Sequence, residues 1–281
     1  MRRRRSGIAV FVKGSRHRLR GEGAGRHDRH GPSSEHEPHG SGVRVLGKAR
    51  TLITTRDTEI VEWIARTGVV EASHVTHVFG LGRTVTYRRL AALETARLIE
   101  RTRVLHGRPA MIVATRAGLR LVGLEHLGLS RVSAATALHW QSSSLIAALI
   151  EADKGRGKVG SVREIRAYER SAKQRIASTT IGAAAHHPDL VLWGADGVGA
   201  TGGHAYEIEL TVKAPERLRA ILRGWRNAVR DFTVDHVTYV CTPEAKRAVT
   251  RAVDATRTHS AIRVLDMPEL DVLHDLAKPT R

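Results

Sequence analysis

The spacing of apolar residues changes near residue 50. Before that point, residues 21–42 are rich in Gly, His, Pro and Ser and almost free of large apolar side chains. A segment of that composition buries too little surface to offset the entropy lost on ordering. We therefore predict a disordered basic tail over residues 1–50 and folded structure from residue 51 onward.

Three helices followed by a β-hairpin are predicted over residues 51–125. Thr54 and Asp57 have the spacing of a capping box, and Gly68 can end the helix that they begin. The predicted elements are helices over 54–68, 71–79 and 83–96, strands over 98–105 and 110–114, and a short helix over 115–124. This order is typical of a winged helix-turn-helix, so we expect a DNA-binding domain of that type here.

An α/β domain is predicted after a linker over residues 126–136. The helix over 137–152 has an apolar face formed by Leu138, Leu145, Ile146 and Leu149. The elements that follow are helices over 161–171, 215–229 and 243–255, and strands over 190–193, 205–210, 236–241 and 261–265. The predicted fold class is α/β overall, with a mixed sheet in a domain over 137–270 and a C-terminal tail over 271–281.

The formal charge of +18 and the pI of about 11.2 favour a polyanionic partner. Residues 1–50 carry 13 Lys and Arg against 4 Asp and Glu, a net charge of +9. Nucleic acid is the commonest such partner, because neutralising its phosphates releases condensed counterions. Compositional bias is the alternative explanation, since arginine far outnumbers lysine. The placement of the charges, described below, favours double-stranded DNA.

Cysteine content and hydropathy argue against two classes of protein. Cys241 is the only cysteine, so a disulfide framework within the chain is impossible, which favours a reducing compartment. No apolar run approaches the ~20 residues that a membrane-spanning helix needs. We therefore expect a cytoplasmic protein without a membrane partner.

The predicted third helix has a face suited to reading DNA. At 100° per residue, Leu90 and Leu93 share the face that packs into the core, and Arg88 lies opposite, where it can contact a guanine edge. The hairpin adds arginines for the DNA backbone or the minor groove. The candidate DNA-binding residues are Thr84, Tyr87, Arg88, Arg89, Arg101, Arg103 and Arg108. The alternative is the solvated face of a protein-binding module.

Carboxylates interrupt the apolar pattern of two predicted strands. Glu207 and Glu209 share one face of their strand, and Asp189 begins the strand before it. If the strands are neighbours, the three carboxylates suit Mg²⁺ or Mn²⁺, which activates water for phosphodiester hydrolysis. The alternative is a half-exposed edge strand whose glutamates face water or pair with Arg217 or Arg219. The candidate catalytic residues are Asp189, Glu207, Glu209 and Lys213. The three carboxylates are also the candidate metal ligands. Lys213 reaches them only if the end of the strand bends.

This carboxylate pattern resembles the PD-(D/E)xK nuclease core. Pro188-Asp189 matches the first half of the motif, but Glu207-Ile208-Glu209 places Glu where the usual lysine stands. Glu164 lies where such nucleases often carry an accessory acid, although its spacing from Ser161 is that of a capping box, which we favour. His186 and His187, beside this motif, could ligate a metal or contact phosphate, but we favour an ordinary polar loop.

Over about residues 50–255 the chain resembles the replication-relaxation family of plasmid and conjugative-element proteins. The motifs that carry the resemblance are the run from Thr84 to Leu93, Leu138-His139-Trp140, Ser161 to Arg166, Pro188-Asp189-Leu190 and Glu207-Ile208-Glu209. The resemblance implies a winged helix followed by a restriction-endonuclease-like α/β domain. It also implies a role in plasmid replication, or in relaxing and mobilising plasmid DNA.

Three functional hypotheses follow from these observations. The first is a DNA-binding protein of a mobile element whose nuclease-like C-terminal domain either is active and processes DNA or is degenerate and positions a relaxase or replication initiator. The second is a transcriptional regulator whose C-terminal domain forms a homodimer or senses a ligand, with purely structural carboxylates. The third is a metal-dependent DNA nuclease acting in defence or repair.

Overall fold

Helix α1 (Thr55–Thr67) begins where the sequence predicts a capping box. In the computed structural model, which describes residues 53–152, 158–194 and 202–268, the Asp57 amide donates to Thr54 Oγ1 at 3.2 Å, and the Thr54 amide donates back to the Asp57 carboxylate at 3.0 Å. Gly68 ends the helix at φ 102°, a conformation that favours glycine. The predicted tails over 1–50 and 271–281 lie outside the described residues.

Two more helices and a hairpin complete the N-terminal part of the described chain. The elements are α2 (Ala72–Phe79), α3 (Arg83–Thr95), β1 (Ile99–Thr102), β2 (Met111–Ala114) and α4 (Arg116–Leu121). The strands pair antiparallel, with Ile99 opposite Ala114, and are shorter than predicted because the connection spans residues 103–110. Ile60, Ile64, Leu90 and Leu93 are fully buried in the core that these elements share.

Helix α5 (Ala134–Ala152) follows a 3₁₀ turn at Glu125–Leu127 and begins inside the predicted linker. Leu145 and Ile146 are buried as predicted, but the prediction for Leu138 is wrong, because its side chain is 46% exposed. At this end of α5 the buried residues are small or polar and lie on a second face of the helix, which packs on α2 and on Val69 and Met111. Ala137 and Gln141 belong to this second face, which no apolar periodicity reveals.

The described chain then forms a five-stranded mixed sheet. In chain order the elements are β3 (Lys158–Ser161), α6 (Val162–Ala172), β4 (Thr179–Ile181), β5 (Ala184–His186), β6 (Leu190–Trp193), β7 (Gly203–Glu209), α7 (Pro215–Arg230), β8 (Val234–Cys241), α8 (Pro243–Thr256) and β9 (Ile262–Asp266). The sheet order is β3-β6-β7-β8-β9, with β3, β6 and β7 antiparallel and β7, β8 and β9 parallel. Short strands β4 and β5 pair separately, and β3, β4 and β5 were not predicted.

Helices cover both faces of this sheet. On one face, Ile146 of α5 packs with Leu190, Ile208 and Val240. On the other face, α7 and α8 enclose a larger core that includes Trp225. The structure is therefore α/β with a mixed sheet, as predicted. Within the described ranges, no helix combines the length and the apolar character needed to cross a membrane.

Buried polar contacts join the N-terminal helices to the sheet. Arg66, near the end of α1, donates to Glu164 at 2.8 Å and to the Val159 carbonyl at 2.5 Å. Arg163 donates to acceptors on the N-terminal side, namely Ala65 O, Leu127 O, Gly128 O and Ser130 Oγ. These contacts make the described residues parts of one compact unit.

Candidate nucleic-acid interface and carboxylate cluster

Helix α3 exposes one polar face and buries the opposite one. Thr86, Leu90 and Leu93 are buried. The exposed stripe, which spans an arc of about 60° at 100° per residue, consists of Thr84, Arg88, Ala91 and Thr95. Tyr87 flanks this stripe with 44% exposure, and the Arg83 guanidinium lies 5.7 Å from its ring centroid. The predicted orientation of the helix is therefore the observed one.

The arginines proposed to contact DNA fall into two groups. Arg88, Arg103 and Arg108 are exposed, and the described residues provide no ion pair for any of them. Arg89 is half-buried and donates to the Asp57 carboxylate at 2.9 Å. Arg101 donates through Nε to Glu94 at 2.7 Å. The three exposed arginines are available to an external anion, whereas Arg89 and Arg101 form ion pairs within the protein.

The two internal ion pairs position the exposed arginines. Arg89 ties α3 to the capping box of α1, and Arg101 ties β1 to the end of α3. Burial raises the pKa of Asp57, but hydrogen bonds from Thr54 and Arg89 outweigh burial and lower the pKa below its usual value. The hairpin is therefore held beside α3, and its connecting loop carries Arg103 and Arg108.

The three candidate carboxylates lie on adjacent strands. Asp189 directly precedes β6, and its amide donates to the Tyr206 carbonyl of β7 at 3.0 Å. Its carboxylate accepts from the Ile208 amide at 2.8 Å. Glu207 and Glu209 are each 4% exposed on the central strand of the sheet. The edge-strand alternative is therefore wrong, since β7 has a neighbour on each side.

Each carboxylate has a donor from another element. His139 of α5 lies 2.8 Å from the Asp189 carboxylate, and Lys213 contacts Glu209. The chain bends at Thr211, just after β7, which allows Lys213 to fold back. Glu207 pairs with donors from two elements, Trp225 Nε1 at 3.0 Å and His186 Nε2 at 2.6 Å. The partner of Glu209 is thus Lys213, and the expected pairing with Arg217 or Arg219 is not observed.

The pKa values of groups in the cluster are shifted by burial and by the hydrogen-bond partners just described. Burial raises the pKa of Glu209, although Lys213 opposes the change. The hydrogen bond with Asp189 raises the pKa of His139. Tyr239 on the adjacent strand is buried, and burial raises its pKa well above the usual value. Its hydroxyl group has no hydrogen-bond partner among the described residues.

The oxygens of the three carboxylates are engaged by protein donors to different degrees. Both oxygens of Asp189 accept, from His139 and from the Ile208 amide, whereas Glu207 and Glu209 each accept through one oxygen. Over the described ranges, no group of three or more His, Cys, Asp or Glu side chains is arranged to hold a metal ion. Glu164 caps α6 and pairs with Arg66, as the capping interpretation requires.

Three members of the cluster were not predicted to belong to it. His139 lies 50 residues before its partner Asp189, and Trp225 lies 18 residues after Glu207. Only the sheet topology brings them together. His186 was interpreted as part of a loop, but it ends β5 and contacts Glu207. The sequence did offer one indication that His186 belongs to the cluster, because it lies two residues before Pro188-Asp189.

No protein-family model, curated protein or solved structure matches this chain. The resemblance to the replication-relaxation family therefore rests on the quoted motifs and stays a prediction.

Proposed function

We propose that α1, α2, α3 and the hairpin β1–β2 form a winged helix-turn-helix that binds double-stranded DNA, with α3 in the major groove. The observation that carries the proposal is the exposed stripe on α3, where Arg88 has no partner within the described residues. A guanidinium on the outer face of such a helix can donate two hydrogen bonds to a guanine edge. Small neighbours such as Ala91 permit close approach to the bases.

The hairpin supplies contacts to the DNA backbone in this proposal. Arg103 and Arg108 lie in the exposed loop that connects its strands. Contacts of this kind to phosphates set the orientation of the protein and carry no sequence information. Arg89 and Arg101 have internal partners, so their role is to position α3 and the hairpin.

The test compares binding to selected and random duplexes. Wild-type protein first enriches its preferred duplex from a random library, and fluorescence anisotropy then measures affinity at several salt concentrations. We expect Arg88→Ala to weaken the enriched duplex by roughly 10- to 100-fold, and the random duplex much less. We expect Arg103→Ala to weaken both equally and to lower the salt slope by about 0.9.

Arg120→Ala is the matched control, because Arg120 is an exposed arginine on α4 and belongs neither to α3 nor to the hairpin. It should leave affinity and salt slope nearly unchanged. If Arg88→Ala behaves like Arg120→Ala on the enriched duplex, α3 is not the reading helix. Absence of duplex binding by the wild type would refute the function as a whole.

For the C-terminal part, the proposal is a binding and scaffolding role. The carboxylates of Asp189, Glu207 and Glu209 serve as hydrogen-bond acceptors for neighbouring elements, which favours structure over hydrolysis. The resemblance to replication-relaxation proteins extends the proposal to a mobile element. There this part would position a relaxase or replication initiator on plasmid DNA.

A supercoiled-plasmid assay separates scaffolding from catalysis. Wild type, Asp189→Ala and Glu207→Gln are incubated with plasmid and either Mg²⁺ or Mn²⁺. We expect DNA retardation on a gel without nicking. Nicking by the wild type that both substitutions abolish would overturn the scaffolding role and establish a metal-dependent nuclease.

A further inference from the structure

Helix α7 carries a stripe of arginines that the proposed reading helix does not use. Its sequence, PERLRAILRGWRNAVR, contains five arginines. Four of them recur at spacings of four, three and four residues, which places them within an arc of about 60°. The members of this arginine stripe are Arg219, Arg223, Arg226 and Arg230.

The packing of α7 keeps the stripe toward solvent. Leu218, Leu222 and Trp225 are buried against the sheet and fix the rotation of the helix. Arg223, Arg226 and Arg230 are exposed, and Arg219 is half-buried. The stripe is thus a fixed feature of the surface and does not depend on a mobile segment.

Internal partners leave most of this charge available. Arg223 has no ion pair or hydrogen bond within the described part of the chain, and Arg226 donates only to the Thr256 carbonyl, an uncharged group. Arg219 pairs with Glu216, whose side chain is 82% exposed, and Arg230 pairs with the exposed Asp231. Exposed pairs of this kind are worth little and exchange readily for another anion.

The geometry of the stripe suits a polyphosphate backbone. Its outermost members are 11 residues apart, which at ~1.5 Å per residue gives a row of positive charge about 16 Å long. Duplex DNA carries a charge about every 1.7 Å of its axis, so a rigid row of this length meets several phosphates. A small anionic ligand would need a concave site with converging donors, whereas these donors form a line along an open helix.

We propose that the arginine stripe of α7 is a second phosphate-binding surface for duplex DNA, separate from α3 and the hairpin. This inference rests on the proposed function, since it takes duplex DNA as the partner. The stripe begins ten residues after Glu209, on the helix that follows the carboxylate cluster. A duplex held on α7 therefore lies along the C-terminal part of the described chain.

The test measures the salt slope of binding to a random-sequence duplex with the full chain. We expect Arg223→Ala to lower the slope by about 0.9, and the triple Arg219→Ala, Arg223→Ala, Arg230→Ala variant to lower it by about 2 to 3. The corresponding triple lysine variant should keep the slope, because phosphate contacts need charge and not a fork of donors. Arg226 is left unchanged because of its bond to Thr256.

Arg217→Ala is the matched control, since Arg217 is exposed on the same helix but lies outside the stripe. It should leave the slope unchanged. If Arg223→Ala and the triple alanine variant also leave it unchanged while Arg103→Ala lowers it, the stripe is only a solvated face. In that outcome, the proposed function survives. Absence of duplex binding by wild type would overturn both proposals.

Discussion

Glu71 provides the sharpest test of the packing between the N-terminal helices and α5. It precedes α2 and is 3% exposed, and its Oε1 has no hydrogen-bond partner among the described residues. Burial raises its pKa to about 7, against partial compensation from Ser73, Arg108 and Gln141. Ionisation of this side chain should therefore destabilise the folded protein.

The magnitude follows from the two pKa values. In the unfolded chain the carboxyl group ionises near 4.5, and in the folded protein only near about 7. Between these pH values the folded state holds a proton that the unfolded state has released, so stability falls as pH rises. At about 1.4 kcal/mol per pH unit, the total loss is about 3 kcal/mol. The loss is absent below pH 4.5 and complete above about pH 7.

Glu71→Gln imitates the protonated side chain at every pH. Its amide can donate to Gln141 Oε1, which has no partner among the described residues. The free energy of unfolding of both proteins is measured by urea denaturation from pH 4.5 to 8.5. Taking the difference between the two curves removes the other titrating groups. We expect the variant to gain up to about 3 kcal/mol on the wild type as pH rises through this range.

Two outcomes would refute this reasoning. A difference that does not change with pH would mean that Glu71 ionises normally in the folded protein. A variant less stable than wild type at pH 8 would mean that the carboxylate is ionised and stabilised, with the charge of Arg108 contributing. Glu100→Gln, which also replaces a carboxylate by an amide but at an exposed position on β1, is the control substitution.

Three further substitutions test packing and hydrogen bonding, each by urea denaturation. Arg163→Ala removes the donors for four acceptors and should cost about 3 kcal/mol, whereas the exposed Arg166→Ala on the same helix should cost less than about 0.5. Gly118→Ala places a Cβ 2.1 Å from a backbone oxygen and should cost about 3 kcal/mol or more, whereas Gly194→Ala meets open space. Trp225→Phe removes the indole donor from a buried carboxylate and should cost about 1 to 2 kcal/mol. If Arg163→Ala or Gly118→Ala is as stable as its control variant, or Trp225→Phe is as stable as the wild type, the contact that the substitution tests does not stabilise the fold.

The contacts of α5 explain why these tests probe one connected unit. On one side, Ser144 lies 3.0 Å from His74 Nδ1 of α2. On another side, His139 reaches Asp189 at the start of β6. A single helix thus contacts both the helices that present α3 and the carboxylate cluster. A substitution at either site is therefore expected to affect the packing of α5.

The positions of most helices and strands could be predicted because their signals are local. The capping box at Thr54 and Asp57 and the prolines that open α7 and α8 act within one turn of the helix. The strand predicted over 190–193 matches β6 in full, because a short apolar run needs no distant information. By contrast, β3, β4 and β5 contain no run of large apolar residues and acquire their geometry from pairing.

The chain by itself determined the periodicities, the charge and the candidate residues, since these depend on neighbours within a few positions. Only the tertiary structure decided which of those residues have partners. Arg88 and Arg89 are adjacent and chemically identical, yet Asp57, about 30 residues earlier, engages one and leaves the other exposed. Likewise, the central position of β7 buries its glutamates and gives them donors from distant elements. The physical reason is that a buried charge must find its partner in space, and spatial neighbours are set by packing between elements.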